Sequence, residues 1–254
     1  MPAPSEQRAR PETGLRIVVL AAFNIGQSLL NGLISYEQDW PDKIRLLAVS
    51  TDDAVEETAK ISMKRRIWRF YPPEARLTQT ASLIEVALQS GLPVYTGELK
   101  TDWFRRWLAD CAPDLIVVTG CGQILDEEIL AIPTLGAINF HPADLPAGHG
   151  AGAQPYQDLV ERSDPWTRWT VHKMTTEVDA GPVIGVSCPI FAGDANGQVA
   201  RDPEKVFQRM AEILPDMVAI LLDEIIAQGP AIGPIDFEAK LSGEMKSRMR
   251  LPLE

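Results

Sequence analysis

Residues 15–34 read LRIVVLAAFNIGQSLLNGLI. The first eight, Leu15 to Ala22, are an almost unbroken apolar run. Such a run fits a strand buried on both faces, the condition of a parallel sheet covered by helices. After it, Leu29, Leu30, Leu33 and Ile34 recur at helical spacing, with Asn24 and Gly26 in the turn before them. The unit is therefore strand, turn, helix. Its helix N-terminus could receive an anion. It lacks a full G-x-G-x-x-G, so it is not a dinucleotide fingerprint, and a plain connecting turn serves equally well.

The pattern repeats outward. Ile44 to Ser50 (IRLLAVS) and Asp114 to Gly120 (DLIVVTG) are further buried-strand runs, and Leu92 to Tyr95 is a shorter one. Thr80–Ser90, Thr101–Asp110 and Asp126–Ala131 read as helices between them, the last with Asp126 as N-cap. Within Thr101–Asp110, Trp103, Phe104, Trp107 and Leu108 are expected in the core. Strands alternating with helices at this pace predict an α/β fold with a doubly wound, mostly parallel, Rossmann-like sheet. In such sheets ligands bind outside the carboxyl ends of the strands. That rule points to Ala22–Gly26, Thr119–Leu125 and the residues after Phe140.

Composition bounds the rest. The chain has 254 residues, 45% hydrophobic and 23% charged, which suits a soluble α/β domain with an appendage. A net charge of −11 disfavours nucleic acid as a partner, since counterion release needs cationic surface. Cys111, Cys121 and Cys188 have no metal-ligand spacing, so neither a disulfide nor a metal site is expected. Residues 1–14 hold no apolar run and read as a disordered lead-in rather than a signal peptide. No stretch approaches a membrane span, and a cytoplasmic protein is expected. Lys60, Lys64, Arg65, Arg66 and Arg69 interleave with Ile67, Trp68, Phe70 and Tyr71. That cluster suits a phosphate or carboxylate tail, or else a solvated helix face.

All three histidines lie between Gly136 and Ile184. Gly136–Phe140 (GAINF) reads as a strand stopped by Pro142. Alternation along it points Asn139 and His141 the same way, at its carboxyl end. A glycine-rich loop, 143–153, follows, then a helix over Gln154–Glu161 and strands over Arg168–Met174 and Pro182–Ile190. Asp179 sits in the loop between those strands. Asp202–Gln228 has one continuous amphipathic pattern, with Pro215 as a kink and Gly229 as its stop. The tail beyond it is weakly patterned.

An amide, an imidazole and a carboxylate converging at strand ends suit acyl or one-carbon transfer. When an amine attacks a formyl carbonyl, negative charge develops on oxygen and the amine must shed a proton. An amide N–H or an imidazolium stabilises the first, and an imidazole held by a carboxylate handles the second. No serine or cysteine occupies a nucleophile motif, so a covalent acyl-enzyme is not expected. The same residues could equally form a structural hydrogen-bonded cluster.

INFHPADLPAGHG, followed by TVHKMTTEVDAGPVI, resembles the folate-dependent formyltransferase family. The likeness runs from Leu15 to Ile190. It implies a catalytic domain over 15–200, with a helix and tail over 201–254 packed on it. It also implies 10-formyltetrahydrofolate as formyl donor and Asn139, His141 and Asp179 as the catalytic trio. In that reading Asn139 holds the formyl oxygen, His141 moves the proton and Asp179 orients His141 and a water. Gly122, Gln123, Ile124 and Leu125 match the segment that reads the pterin, and Thr175, Thr176, Glu177 and Val178 the segment closing its other side. His172 matches a supporting histidine, with a purely structural strand histidine as the alternative. Lys64, Arg65, Arg66, His149 and Gly150 are candidates for acceptor contact.

The expected acceptor is a small-molecule amine, and a homodimer is compatible with that reading. The turn Asn24–Ser28 only partly resembles the phosphate-holding turn of the glycinamide enzymes, and the acidic balance argues against methionyl-tRNA. Gly152–Asp158 (GAQPYQD) is closest to the formyltetrahydrofolate hydrolases. Hydrolysis of the same donor is therefore the nearest rival, ahead of a non-catalytic folate-binding relative.

Overall fold

A computed structural model describes residues 14–51, 83–229 and 232–253. Residues 1–13 of the lead-in, Thr80–Ser82 and the whole Lys60–Tyr71 cluster, with Lys64, Arg65 and Arg66, lie outside the described residues.

The apolar runs are strands. β1 (Leu15–Ala21), β2 (Ile44–Ser50), β3 (Val94–Tyr95), β4 (Leu115–Thr119) and β5 (Ala137–His141) pair in parallel, in the spatial order β3-β2-β1-β4-β5. The short pair β6 (Trp166–Thr167) and β9 (Ile190–Phe191) stands apart. β7 (Thr170–Lys173) and β8 (Val183–Val186) extend the main sheet antiparallel beyond β5, making seven strands. The sheet is thus mostly parallel and Rossmann-like, with a mixed edge. The expected strand Arg168–Met174 is shorter, Thr170–Lys173; Trp169 just before it is fully buried, and its indole donates to the Met210 carbonyl.

Helices cover both faces. On one lie α1 (Phe23–Asp39), α2 (residues 83–89), α5 (Pro155–Arg162), α6 (Pro203–Ala211) and α7 (Leu214–Gln228), around a core holding Ile17, Val19, Leu29 and Leu33. On the other, α3 (Asp102–Cys111) and α4 (Glu127–Leu130) pack with Val18, Leu20, Ile116 and Val118. Alternate β1 side chains feed the two cores, as the pleat requires.

Other elements also differ from their sequence expectation. The single strand expected over Pro182–Ile190 is two, β8 in the main sheet and β9 in the short pair. Asn24 and Gly26 lie inside the first turn of α1, not before it. The pattern over Asp202–Gln228 is two helices. Pro215 falls in the first turn of α7, where a missing N–H costs nothing, rather than kinking one long helix. There it presses so closely on Gly32 of α1 that a Cβ on Gly32 would meet Pro215 Cα at 2.8 Å. Trp103, expected in the core, is 55% exposed and stacks on Tyr95, while Phe104 and Leu108 are buried.

Candidate active site

β5 and β7 run antiparallel with Asn139 directly opposite His172. Cross-strand partners project to the same face, so the two side chains meet. Asn139 Nδ2 and His172 Nε2 are 3.1 Å apart. His172 Nδ1 lies 3.0 Å from the Lys173 carbonyl, which can only accept. Nδ1 therefore carries the proton, and Nε2 accepts from the Asn139 amide. A register shift between Val171 and His172 marks the β7–β8 pairing here, a common device for aiming a side chain beside a site.

His141 points the same way as Asn139, one residue beyond the next. Its Nε2–H donates to the Gly150 carbonyl at 2.7 Å. Its Nδ1 faces Asp179 Oδ1 at 3.5 Å. Asp179 Oδ1 also accepts from Asn139 Nδ2 at 3.4 Å and lies 3.5 Å from His172 Nε2. Its other oxygen accepts the Gly152 N–H at 2.7 Å. The glycine-rich loop therefore holds both His141 and Asp179 through its main chain. Gly150, an acceptor-contact candidate from the sequence, sits here as a partner of His141.

The loop that delivers Asp179 is tightly built. Asp179 has φ +54, a left-handed conformation that Asp tolerates better than most residues. Gly181, two residues on, lies where a Cβ would come 1.7 Å from the Lys173 carbonyl oxygen. Only glycine fits there.

Protonation follows from burial and partners. His141 is 6% exposed, and this desolvation drives its pKa below the ordinary 6.5; the Asp179 charge and the Gly150 bond oppose the shift without reversing it. Burial would raise Asp179, but the adjoining His172 and His141 imidazoles and the Gly152 N–H outweigh it, and the carboxyl lies below its ordinary 3.8. At neutral pH the resting site holds a carboxylate beside a neutral His141 whose Nδ1 lone pair faces it.

A cavity of about 1190 Å³, counting its mouth open to solvent, surrounds this cluster. Its lining includes Gly122, Gln123, Ile124 and Leu125 on one side and Thr175, Glu177 and Val178 on the other, with Asn139, His141, His172 and Asp179 between. Thr176 and His149 do not line it. The Gln123 side chain is occupied elsewhere: it donates to the Gly97 carbonyl and accepts from Leu99 N–H, fastening its loop to residues 97–99. Arg105 secures the end of the same loop through an ion pair with Asp126 at 2.6 Å. The cavity also takes Phe23, Ile25, Tyr156 and Phe207. Phe207 comes from α6 and Phe23 from the mouth of α1, at φ +64. The strand-end rule points to Phe23 and Ile25 within Ala22–Gly26, but no sequence signal brings Phe207 to them.

A mostly parallel Rossmann-like sheet, with an amide, two imidazoles and a carboxylate at its carboxyl edge, is the class of protein that formyl transfer is built on. The chain belongs to the formyl transferase family, whose model matches residues 15–216. Members of this family use 10-formyltetrahydrofolate as formyl donor. The chain is 30% identical over 210 residues to a methionyl-tRNA formyltransferase of Ectopseudomonas mendocina, matching 79% of this chain and 64% of that protein. A second, from Acidithiobacillus ferrooxidans, is 38% identical over 121 residues, 47% of this chain and 38% of its relative. The chain thus spans less than two thirds of the length of these curated relatives. The fold matches phosphoribosylglycinamide formyltransferase of Bacillus halodurans with TM-score 0.61 at 15% identity, over 84% of this chain and 96% of that one. It matches a formyltetrahydrofolate deformylase of Pseudomonas syringae with TM-score 0.58 at 19% identity, over 85% and 62%.

Proposed function

We propose that this chain transfers a formyl group from 10-formyltetrahydrofolate to the amine of a small-molecule acceptor. The observation that carries the reading is the joining of Asn139, His141 and Asp179 in one cavity between two loops of the kind the family uses for its donor. The lining fits that donor. Ile124 and Val178 are 43% and 53% exposed, apolar side chains left open on opposite loops as a flat ring would require. The Gly122–Leu125 and Thr175–Val178 segments would hold it, and when bound it supplies the formyl carbon.

The chain's own residues have separable tasks. Asn139 Nδ2 holds one hydrogen toward His172 and the other toward Asp179, and the second contact, at 3.4 Å, is the looser. A carbonyl oxygen gaining negative charge is a better partner for that hydrogen. His141 cannot take a proton at Nε2, which already donates to Gly150, so Nδ1 is its basic atom. A proton arriving there lies between imidazole and carboxylate, and Asp179 stabilises the imidazolium. His172 fixes the Asn139 amide rather than reacting. The acidic balance of the chain supports a small amine over a nucleic-acid-borne one.

The test is tetrahydrofolate release from 10-formyltetrahydrofolate with and without a panel of primary amines, with mass analysis of the amine. Amine-dependent release and a formylated product are expected, and Asn139→Ala lowers kcat by about 10²–10³, the worth of one oxyanion donor. Release that ignores every amine would replace transfer by hydrolysis. An Asn139→Ala protein as fast as wild type would overturn the assignment.

A further inference from the structure

The loop 120–126 carries one wall of the cavity and is fastened at three points. At its start, Gly120 lies so close to α1 that a Cβ would meet the Ala22 carbonyl oxygen at 3.0 Å. At its end, Asp126 pairs with Arg105 and caps α4 through the Ile129 N–H. In the middle, Gln123 Oε1 accepts from Leu99 N–H at 2.9 Å and Nε2 donates to the Gly97 carbonyl at 3.2 Å. The segment it hangs from is itself pinned. The Tyr95 hydroxyl donates to the Glu98 carbonyl at 2.8 Å, Thr101 N–H donates to the Leu99 carbonyl at 2.9 Å, and Leu99 is buried in the α3/α4 core. Between the second and third fastenings, Ile124 and Leu125 make no main-chain hydrogen bond to another described residue, although Leu125 is 1% exposed and both line the cavity. Buried main-chain N–H and C=O groups are nearly always paired, so this stretch is kept for a bound molecule.

We infer that Gln123 is a positioning residue for the formyl donor: hung from Gly97 and Leu99, it sets where the Ile124–Leu125 main chain stands, and it does not itself touch the donor. The inference rests on the placing of the donor between the two loops, proposed above. Both ends of the Gln123 amide are bonded to main chain far away in sequence, and this leaves recognition of the ring to its two neighbours. Without those bonds the middle of the loop is free to shift. Donor binding must then order it, which lowers affinity. Asn139, His141 and Asp179 stand on other elements and keep their places around the formyl carbon once the donor is bound. The effect therefore falls on the donor KM rather than on kcat.

The experiment measures calorimetric binding of 5-formyltetrahydrofolate, and tetrahydrofolate release from 10-formyltetrahydrofolate, in wild type, Gln123→Leu, Gly97→Ala and the double variant. Gln123→Leu removes both bonds and leaves a side chain of similar size. Gly97→Ala acts from outside the cavity: its Cβ would come 2.5 Å from the Tyr95 hydroxyl oxygen, so the turn that holds Gln123 must shift. Each single variant should raise the dissociation constant and the donor KM about tenfold, the worth of one or two hydrogen bonds, while kcat at saturating donor changes far less. Both act through one fastening, so the double variant should be little weaker than the worse single one. Weak binding in Gln123→Leu with wild-type binding in Gly97→Ala would make Gln123 a direct donor contact and overturn the inference. Full additivity of the two changes, or wild-type affinity in both, would overturn it as well. Should Gln123→Leu fold poorly by circular dichroism, the more pliant Gln123→Met takes its place in the same cycle. A wild type that binds no 5-formyltetrahydrofolate would remove the placing of the donor and the inference with it, an outcome distinct from folate binding that the variants leave untouched.

Discussion

At the scale of single residues the site is a balance between burial and pairing, and the balance has a sign. His141 and Asp179 both have folded-state pKa values below their ordinary 6.5 and 3.8. Within each window the folded chain binds fewer protons than the unfolded one, so stability rises with pH and falls on acidification. The His141 contribution is lost first, as pH drops through about 6.5; that of Asp179 follows only below the ordinary carboxylate range. His141→Gln removes the upper step while keeping a donor for the Gly150 carbonyl. Denaturant unfolding at pH 7.5 and 5.5 should therefore show a larger loss for wild type than for His141→Gln. Equal losses would mean that burial does not hold His141 neutral. Activity should hold over that interval and decline only as pH approaches the lowered folded pKa of His141, since a protonated Nδ1 can accept nothing from the amine.

Elements position those residues, and their legibility in the sequence is uneven for physical reasons. β1, β2 and β4 were readable because strands buried on both faces carry uninterrupted apolar runs. Asn139, His141 and Asp179 were readable because motif spacing survives in a strand end and a tight turn. The bond from His141 to Gly150 was not, because a backbone carbonyl leaves no trace in residue identity. In the sequence Pro215 reads as a kink, because the same residue starts a helix as readily as it bends one. Exposure of Trp103 depends on what stands opposite α3, which no local pattern encodes. The β7–β8 connection gives the sharpest test at this scale. Gly181→Ala sets a methyl 1.7 Å from the Lys173 carbonyl oxygen, backbone that must move for it to fit. Movement there displaces Asp179, and a misplacement of about 1 Å at a reacting group costs on the order of 10²-fold in rate. Gly181→Ala should lower kcat/KM by that order and reduce Tm; unchanged kinetics would show that the loop does not aim Asp179.

Over the whole molecule, the segment that said least as sequence closes the structure on its antiparallel side. Beyond Gly229, Ile235 N–H bonds the Ile184 carbonyl, so the chain lies along the edge of β8. Phe237 and Met249 are fully buried in the α1/α7 core, and Ile235 and Leu241 nearly so. Gly185 of β8 admits this approach, since a Cβ there would meet Phe237 Cδ2 at 2.8 Å. Two short helices, α8 (Phe237–Lys240) and α9 (Gly243–Arg248), carry the segment and are too brief to show periodicity. Glu238, next to Phe237, pairs with Arg168 at 3.2 Å, and Arg168 reaches Asp144 at 3.6 Å at the head of the glycine-rich loop. The segment thus covers an exposed strand edge and steadies the loop that holds His141 and Asp179. Truncating a fully buried phenylalanine costs about 3–5 kcal/mol, a large share of the roughly 5–15 kcal/mol that holds a domain folded. Phe237→Ala should therefore lower the unfolding free energy by that amount and Tm by about 2–4 °C per kcal/mol in a chain of this size. Glu238→Gln should leave Tm nearly unchanged, because part-exposed ion pairs contribute about 0–1 kcal/mol. Scanning calorimetry of the two variants separates the roles. Equal, small shifts would mean that Phe237 adds little to the core it fills; a large shift for Glu238→Gln would make the Arg168 bridge, rather than apolar burial, the bond that keeps this segment on the sheet.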